Sequence, residues 1–240
     1  MEPVATPPAS LDAACAIVPA FDAAATVGVV VEALRAELGI PVLVVDDGST
    51  DATAAVARDR GADVVLHGRN RGKGAALRTG LLEATRRGFD VAVTVDADGQ
   101  HPASQARVVL RGSEDPRALV LGVRDLERDG APRGNRFGNG VSNFFLSAFA
   151  GRTLRDTQCG LRRYPVREAL ALGARASGYA FEAEIILRAL AAGMPLVELP
   201  VHVVYPPAGE RSTHFRNVRD PTRIVFSVLR TVVALRLGGR

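Results

Sequence analysis

Tryptophan is absent from this 240-residue chain, aromatic residues make up 5% of it, and only two cysteines occur. An interior with so few rings has to be built from aliphatic side chains. Cys15 and Cys159 are too few for a disulfide framework or a four-ligand zinc site within this chain. Both sit among small or apolar residues, as reduced thiols do. The opening Met1-Glu2-Pro3 lacks a basic stretch followed by an apolar one, so no signal peptide is expected. No apolar run reaches the ~18 residues that span a bilayer. The expected location is the cytoplasm, with any contact to the inner face of the membrane being peripheral. Neither sign of charge dominates: 30 Lys+Arg against 26 Asp+Glu leave +4. That excess suits an anionic or phosphorylated partner and does not by itself mark a nucleic-acid binder. The 47% hydrophobic and 23% charged content excludes disorder, collagen and coiled coil as overall descriptions.

What is present is an alternation of short apolar runs with amphipathic stretches, the pattern of a mostly parallel sheet covered by helices. Strands are expected at 15–18, ended by Pro19, and at 42–45, 64–66, 91–95 and 119–121. Asp22 is the expected cap of a helix carrying Val27, Val30, Val31, Leu34 and Leu38, with Gly39 as its stop. Further on, Phe137, Val141, Phe144, Phe145 and Phe149 form a helical apolar stripe. Another helix is expected over 182–192 and a strand over 196–205. The organisation is a flexible tail over 1–12, one domain over 13–219 and a terminal amphipathic helix over 220–240. That last helix carries Arg223 and Arg230 on one face and is compatible with anionic lipid or with packing on its own domain.

Three stretches carry chemistry. In Val91–Gln100, VAVTVDADGQ, a buried strand ends in two carboxylates two residues apart. In extended chain Asp96 and Asp98 point to one side, at the carboxyl edge where open α/β sheets bind ligands. Two such acids repel each other unless a cation lies between them. With no cysteine or paired histidine beside them, Mg²⁺ or Mn²⁺ is the natural partner, and Gln100 could add a carbonyl oxygen. A helix cap explains either acid singly. In VLVVDDGSTDAT, Asp46 and Asp47 end a strand and could accept from a base N–H or ribose hydroxyls. In HGRNRGKGAALRTG, a basic glycine-rich turn with Lys73 enters a helix and suits a phosphate or carboxylate. It departs from the P-loop pattern: three residues separate Gly68 from Gly72, and Gly74 follows Lys73.

Together these stretches resemble family 2 glycosyltransferases of the GT-A fold, over about Cys15 to Arg223. IVPAFD at 17–22, DDGSTD, NRGKGAALRTG, VDADGQHP, GNRFGN, DTQCGLRRY, GYAFEAEI and ELPVHVVY carry the likeness. The later ones are similar to the polyprenyl-phosphate sugar synthases, the dolichyl-phosphate mannose synthase group. The resemblance implies a single Rossmann-like mixed sheet with helices on both faces. It implies that Pro19, Phe21, Asp46 and Asp47 line a nucleotide pocket, that Asp96, Asp98 and Gln100 hold the metal, and that Arg124 and Arg136 meet an acceptor phosphate. Ser212, with basic neighbours in the 206–219 loop, would close over the site. Ala23 and Ala24 depart from the family's frequent acids, and Arg211 or Arg216 would stand in for its usual loop lysine.

The expected activity is inverting transfer of a hexose from UDP- or GDP-sugar to a polyprenyl phosphate. The alternatives are a glycan, glycolipid or small-molecule hydroxyl acceptor, and a degenerate nucleotide-binding partner subunit. A homo-oligomer is compatible with the pattern. A phosphate acceptor is already ionised and needs positioning by arginines. Among Arg124, Arg133, Arg136, Arg162 and Arg163, Arg124 and Arg136 are the expected site residues and the others surface groups. A hydroxyl acceptor would need a base, for which Glu182 and Glu184 are candidates. Two apart on a helix, at most one should point inward, and Glu184 is the one assigned to the site.

Overall fold

The computed structural model describes residues 13–178, 180–205 and 230–233, apart from the side chain of Arg133. The expected tail, the 206–219 loop with Ser212, and all of the terminal helix but helical residues 230–233 lie outside them. Seven strands form one sheet in the order β3-β2-β1-β4-β6-β5-β7. They are β1 (Ala14–Ala20), β2 (Val42–Asp46), β3 (Asp63–Leu66), β4 (Val91–Thr94), β5 (Leu119–Arg124), β6 (Arg162–Pro165) and β7 (Leu196–Val201). The helices are α1 (Val27–Leu38), α2 (Thr53–Asp59), α3 (Lys73–Arg86), α4 (Ala103–Leu110), α5 (Arg133–Ala150), α6 (Val166–Ala171) and α7 (Ala180–Ala191). Among the described residues no helix is long and apolar enough to cross a membrane.

The aliphatic strands are buried on both faces, and alternation divides their side chains between two cores. Ala16 and Val18 of β1 join α1, α2 and α4 on one face, while Cys15 and Ile17 join α3, α6 and α7 on the other. Gly39 stops α1 in the left-handed conformation, as its position after the last periodic leucine predicts. Strand β1 runs past Pro19, contrary to expectation. Ala16 N–H points toward β2, at Pro41 O, so the donor that Pro19 lacks would face the opposite side. There the β4 ladder has already ended at Ile17–Thr94.

Sequence periodicity misses β6, which lies antiparallel between β4 and β5. Its residues, RRYP, are all buried. Arg162 and Arg163 are therefore interior, not surface, groups. Arg162 donates to the carbonyls of Cys159, Thr157 and Glu182, and Arg163 to those of Asp115 and Ala118. A buried guanidinium is tolerated where carbonyl oxygens take its protons.

Helix α5 turns only part of its apolar stripe toward the core. Of its aromatic stripe Phe137 (77%) and Phe144 (69%) are exposed and Phe149 packs on the core, while Asn139 (4%) and Ser142 (2%) face inward beside Leu146. Ser142, Asn143 and Ser147 meet the turn that follows, while the buried Asn139 Oδ1 has no hydrogen-bond partner. Ser142 Oγ lies 3.0 Å from Thr157 Oγ1, Asn143 Oδ1 accepts from Thr157 N at 2.9 Å, and Ser147 Oγ accepts from Leu154 N at 2.8 Å.

Candidate active site

The carboxyl ends of β1 and β2 lie side by side, Ala20 opposite Asp46, and the residues after them are laced together. Asp22 Oδ1 accepts from Thr50 N at 2.8 Å, Ser49 Oγ accepts from Asp22 N at 2.9 Å, and Asp51 Oδ2 accepts from Ala24 N at 3.0 Å. Asp22 is thus a loop tie and not the cap of α1, whose N-cap position belongs to Thr26. Asp46 Oδ1 accepts from Ser49 N at 2.9 Å. Pro19 and Phe21 are half-buried at this edge. Gly48 has φ 79° and lies so close to the Arg69–Asn70 backbone that a side chain would collide with it.

Asp47 is buried and its oxygens are engaged within the chain. Its oxygens accept from Gly72 N at 2.6 Å and Arg71 N at 3.0 Å, and His67 Nδ1 lies 2.6 Å away. His67 Nε2 in turn meets Thr79 Oγ1 at 2.9 Å. A carboxylate with these partners holds the glycine-rich turn in place, and the turn sets Lys73 at the first position of α3.

Lys73 reaches the acid centre. Its Nζ donates to Asp96 Oδ1 at 2.7 Å and Glu182 Oε1 at 3.1 Å. Gly160 packs against the Asp96 carboxyl group so tightly that no Cβ would fit. Burial acts against the Asp96 charge, but Lys73, His101 and Arg124 hold its carboxyl below the usual range. Asp98 goes the other way: burial, then the charge of Asp96, push it up to about 6. Gln100 N donates to Asp98 Oδ1 at 3.0 Å, and Gln100 O accepts from Val204 N at 2.8 Å. Burial depresses His101 to about 4, and its buried Nδ1 has no hydrogen-bond partner.

Asp96 and Asp98 offer hard oxygen donors that repel each other, a fit for Mg²⁺ or Mn²⁺ completed by phosphate oxygens and water. No group of three His, Cys, Asp or Glu suited to a metal occurs among the described residues. The described residues therefore supply only part of such a shell.

On the other side of the centre, Arg124 is gripped by Asp156 through Nε–Oδ2 at 2.7 Å and Nη2–Oδ1 at 3.0 Å. Arg124 N and Gln158 N also donate to Asp156. Sequence reasoning quoted DTQCG but assigned Asp156 no part; its acid and glycine, Asp156 and Gly160, position Arg124 and Asp96. Arg136 stands in the first turn of α5, 3.6 Å from Glu127. Both glutamates of α7 are buried, Glu182 at 1% and Glu184 at 5%, which corrects the expectation of one. Glu184 does not join the centre: Oε2 accepts from Arg175 N at 2.8 Å and Ala176 N at 2.6 Å, and Oε1 from Arg188 Nε at 2.7 Å. Glu182 is the one that does.

A mixed sheet with paired acids, a phosphate-suited turn and a clamped arginine at one carboxyl edge defines an α/β enzyme of nucleotide-linked substrates. Residues 15–166, more than half of the chain, match the model of glycosyl transferase family 2. The chain belongs to that family and is a nucleotide-sugar glycosyltransferase of the GT-A fold. It is 31% identical over 198 residues to a polyprenol monophosphomannose synthase of Mycolicibacterium smegmatis, covering 75% of this chain and 73% of that one. It is 28% identical over 246 residues to a UDP-N-acetylglucosamine–dolichyl-phosphate N-acetylglucosaminyltransferase of Methanococcus voltae, covering 92% and 95%. In structure it is similar to glucosyl-3-phosphoglycerate synthase from Mycobacterium tuberculosis, solved with Mn²⁺, UDP and phosphoglyceric acid. There the TM-score is 0.68 at 22% identity, over 92% of this chain and 78% of that one.

Proposed function

We propose that this glycosyltransferase moves a hexose, with inversion, from a UDP- or GDP-sugar to a polyprenyl phosphate at a membrane surface. Asp96 and Asp98, with Gln100 beside them, would hold Mg²⁺ or Mn²⁺. The observation that carries the lipid acceptor is the outer face of α5, where Phe137, Phe144 and Phe145 are exposed and Arg136 directly precedes Phe137. An aromatic face bounded by arginine suits the boundary between acyl chains and anionic headgroups. The two relatives named above are polyprenol and dolichyl-phosphate enzymes by name.

The remaining chemistry is consistent with an acceptor that arrives ionised. Glu184 has both oxygens engaged, and Glu182 is buried with its Oε1 paired to Lys73, an arrangement that does not favour a hydroxyl acceptor needing a general base. An acceptor phosphate oxygen attacks the anomeric carbon, and the nucleoside diphosphate leaves with the bonding pair. Arg124, oriented by Asp156, presents the rest of its guanidinium to the incoming phosphate. Lys73 stands where it can take up negative charge from the diphosphate. A divalent ion bound at Asp96 and Asp98 would supply Lewis-acid stabilisation of the leaving group.

Purified protein incubated with labelled UDP- and GDP-hexoses, Mn²⁺ and a short polyprenyl phosphate should give a labelled lipid extractable into organic solvent. The same mixtures with 3-phosphoglycerate should give no product. Transfer to phosphoglycerate in place of lipid would overturn the acceptor while leaving the donor chemistry standing.

A further inference from the structure

Asp96 cannot give its full charge to a divalent ion while an ammonium holds one of its oxygens. Lys73 Nζ lies 2.7 Å from Asp96 Oδ1, and no freely rotating side chain puts it there. The turn before it is fixed by Asp47 through Arg71 N and Gly72 N. Gly74 is pressed against Ala176 O and Phe181 Cβ, which brings the starts of α3 and α7 together. That contact places Glu182 3.1 Å from the same ammonium. Glu182 is buried, and its second oxygen, Oε2, has no hydrogen-bond partner. Lys73 pairs with the Glu182 carboxylate, beside the buried Arg162, and Glu182 in turn tethers Lys73 when its bond to Asp96 is broken.

We propose that Lys73 is a resident counter-ion of Asp96 that gives way when a nucleoside diphosphate arrives, so that nucleotide and divalent ion bind as a linked pair. The inference rests on the reading of Asp96 and Asp98 as the ion's ligands. With Lys73 in place, the two acids and the ammonium together present one net negative charge to an incoming ion, and Asp96 Oδ1 is occupied. A diphosphate changes both terms. It offers Lys73 a new anionic partner within reach of its Glu182 tether, and it adds oxygen ligands and negative charge beside Asp96 and Asp98. By reciprocity, whatever factor the nucleotide adds to ion affinity, the ion adds to nucleotide affinity. An enzyme so built keeps one of its two acids paired with a cation between turnovers and admits the ion together with the donor.

The test is Mn²⁺ binding to the full chain, read from the electron paramagnetic resonance signal of free Mn²⁺, with and without UDP or GDP. The unaltered protein should bind Mn²⁺ weakly alone and at least about tenfold more tightly with the accepted nucleotide. Lys73→Met, with Lys73→Gln as a second neutral variant, should bind Mn²⁺ about tenfold more tightly without nucleotide, and the nucleotide should then add little. Glu182→Gln should move nucleotide-free binding the opposite way, because it removes a negative charge and leaves Lys73 wholly to Asp96. General loss of structure would weaken all variants alike. Nucleotide-free binding that is unchanged or weaker in both Lys73 variants overturns the counter-ion. If the unaltered protein fails to bind Mn²⁺ even with nucleotide, the ion site itself falls and the inference with it.

Discussion

At the scale of single residues, Asp98 links the chemistry of the site to the stability of the chain. Burial and the charge of Asp96 push its carboxyl up to about 6, against roughly 3.9 in an unfolded chain. Between those values the folded protein keeps a proton that the unfolded chain has lost. Stability from this group is present at low pH and is lost as pH rises through about 6. Asp98→Asn removes the charge, and with it the repulsion from Asp96. The ligand-free variant should melt roughly 2–4 °C higher at neutral pH and show a flatter dependence of Tm on pH between about 4 and 6. Its transfer activity should fall about 100-fold or more, since the leaving charge loses part of its electrostatic stabilisation. Calorimetry across pH, run beside the transfer assay, checks both. An unchanged Tm profile would mean that the two acids do not oppose each other.

At the scale of elements, α5 shows what periodicity can and cannot deliver. The spacing of Phe137, Val141, Phe144, Phe145 and Phe149 marks a helix, which is present, but the stripe is divided: Phe149 packs on the core while Phe137 and Phe144 are exposed. It does not reveal which side meets the protein. That depends on the turn over 151–158, whose backbone needs the Asn143 and Ser147 side chains, and polar demand of this kind leaves no apolar signature. β6 fails to appear in the sequence for the same reason, its arginines being matched to carbonyls that only the folded chain brings near. The two faces of α5 should therefore respond in opposite ways. Phe137→Ser combined with Phe144→Ser should change stability by no more than about 0.5 kcal/mol. It should cut transfer to polyprenyl phosphate in anionic vesicles about tenfold while leaving slow hydrolysis of the donor intact. Asn143→Leu, on the inward face, should instead cost about 1–3 kcal/mol by stranding Thr157 N–H and the Arg155 carbonyl. Denaturant titration and the vesicle assay separate the two. Equal activity of the double serine variant on vesicles would remove α5 from the acceptor side.

At the scale of the whole molecule, the half built from parallel strands was legible because its aliphatic runs and acid-tipped ends lie close together in sequence. The site itself was legible only in part. Asp96 and Asp98 announce themselves, but Asp156, Gly160 and Glu182 come from distant segments that β6 and α7 carry back to the same edge. The drawing of the centre from β4, α3, α7 and the 156–160 turn has a thermodynamic consequence. A ligand that touches all of these recognises only the folded chain, so its binding energy adds to the stability of the whole sheet. At a hundredfold excess over Kd this amounts to about 2.7 kcal/mol, or about 5–10 °C for a domain of this size. UDP or GDP together with Mn²⁺ should raise Tm by that amount, and by more than the sum of their separate effects. Of the two nucleotides, the one giving the larger joint shift identifies the base that the enzyme prefers. Additive shifts would mean that ion and nucleotide bind at separate places, and the carboxyl edge would then no longer be a single site.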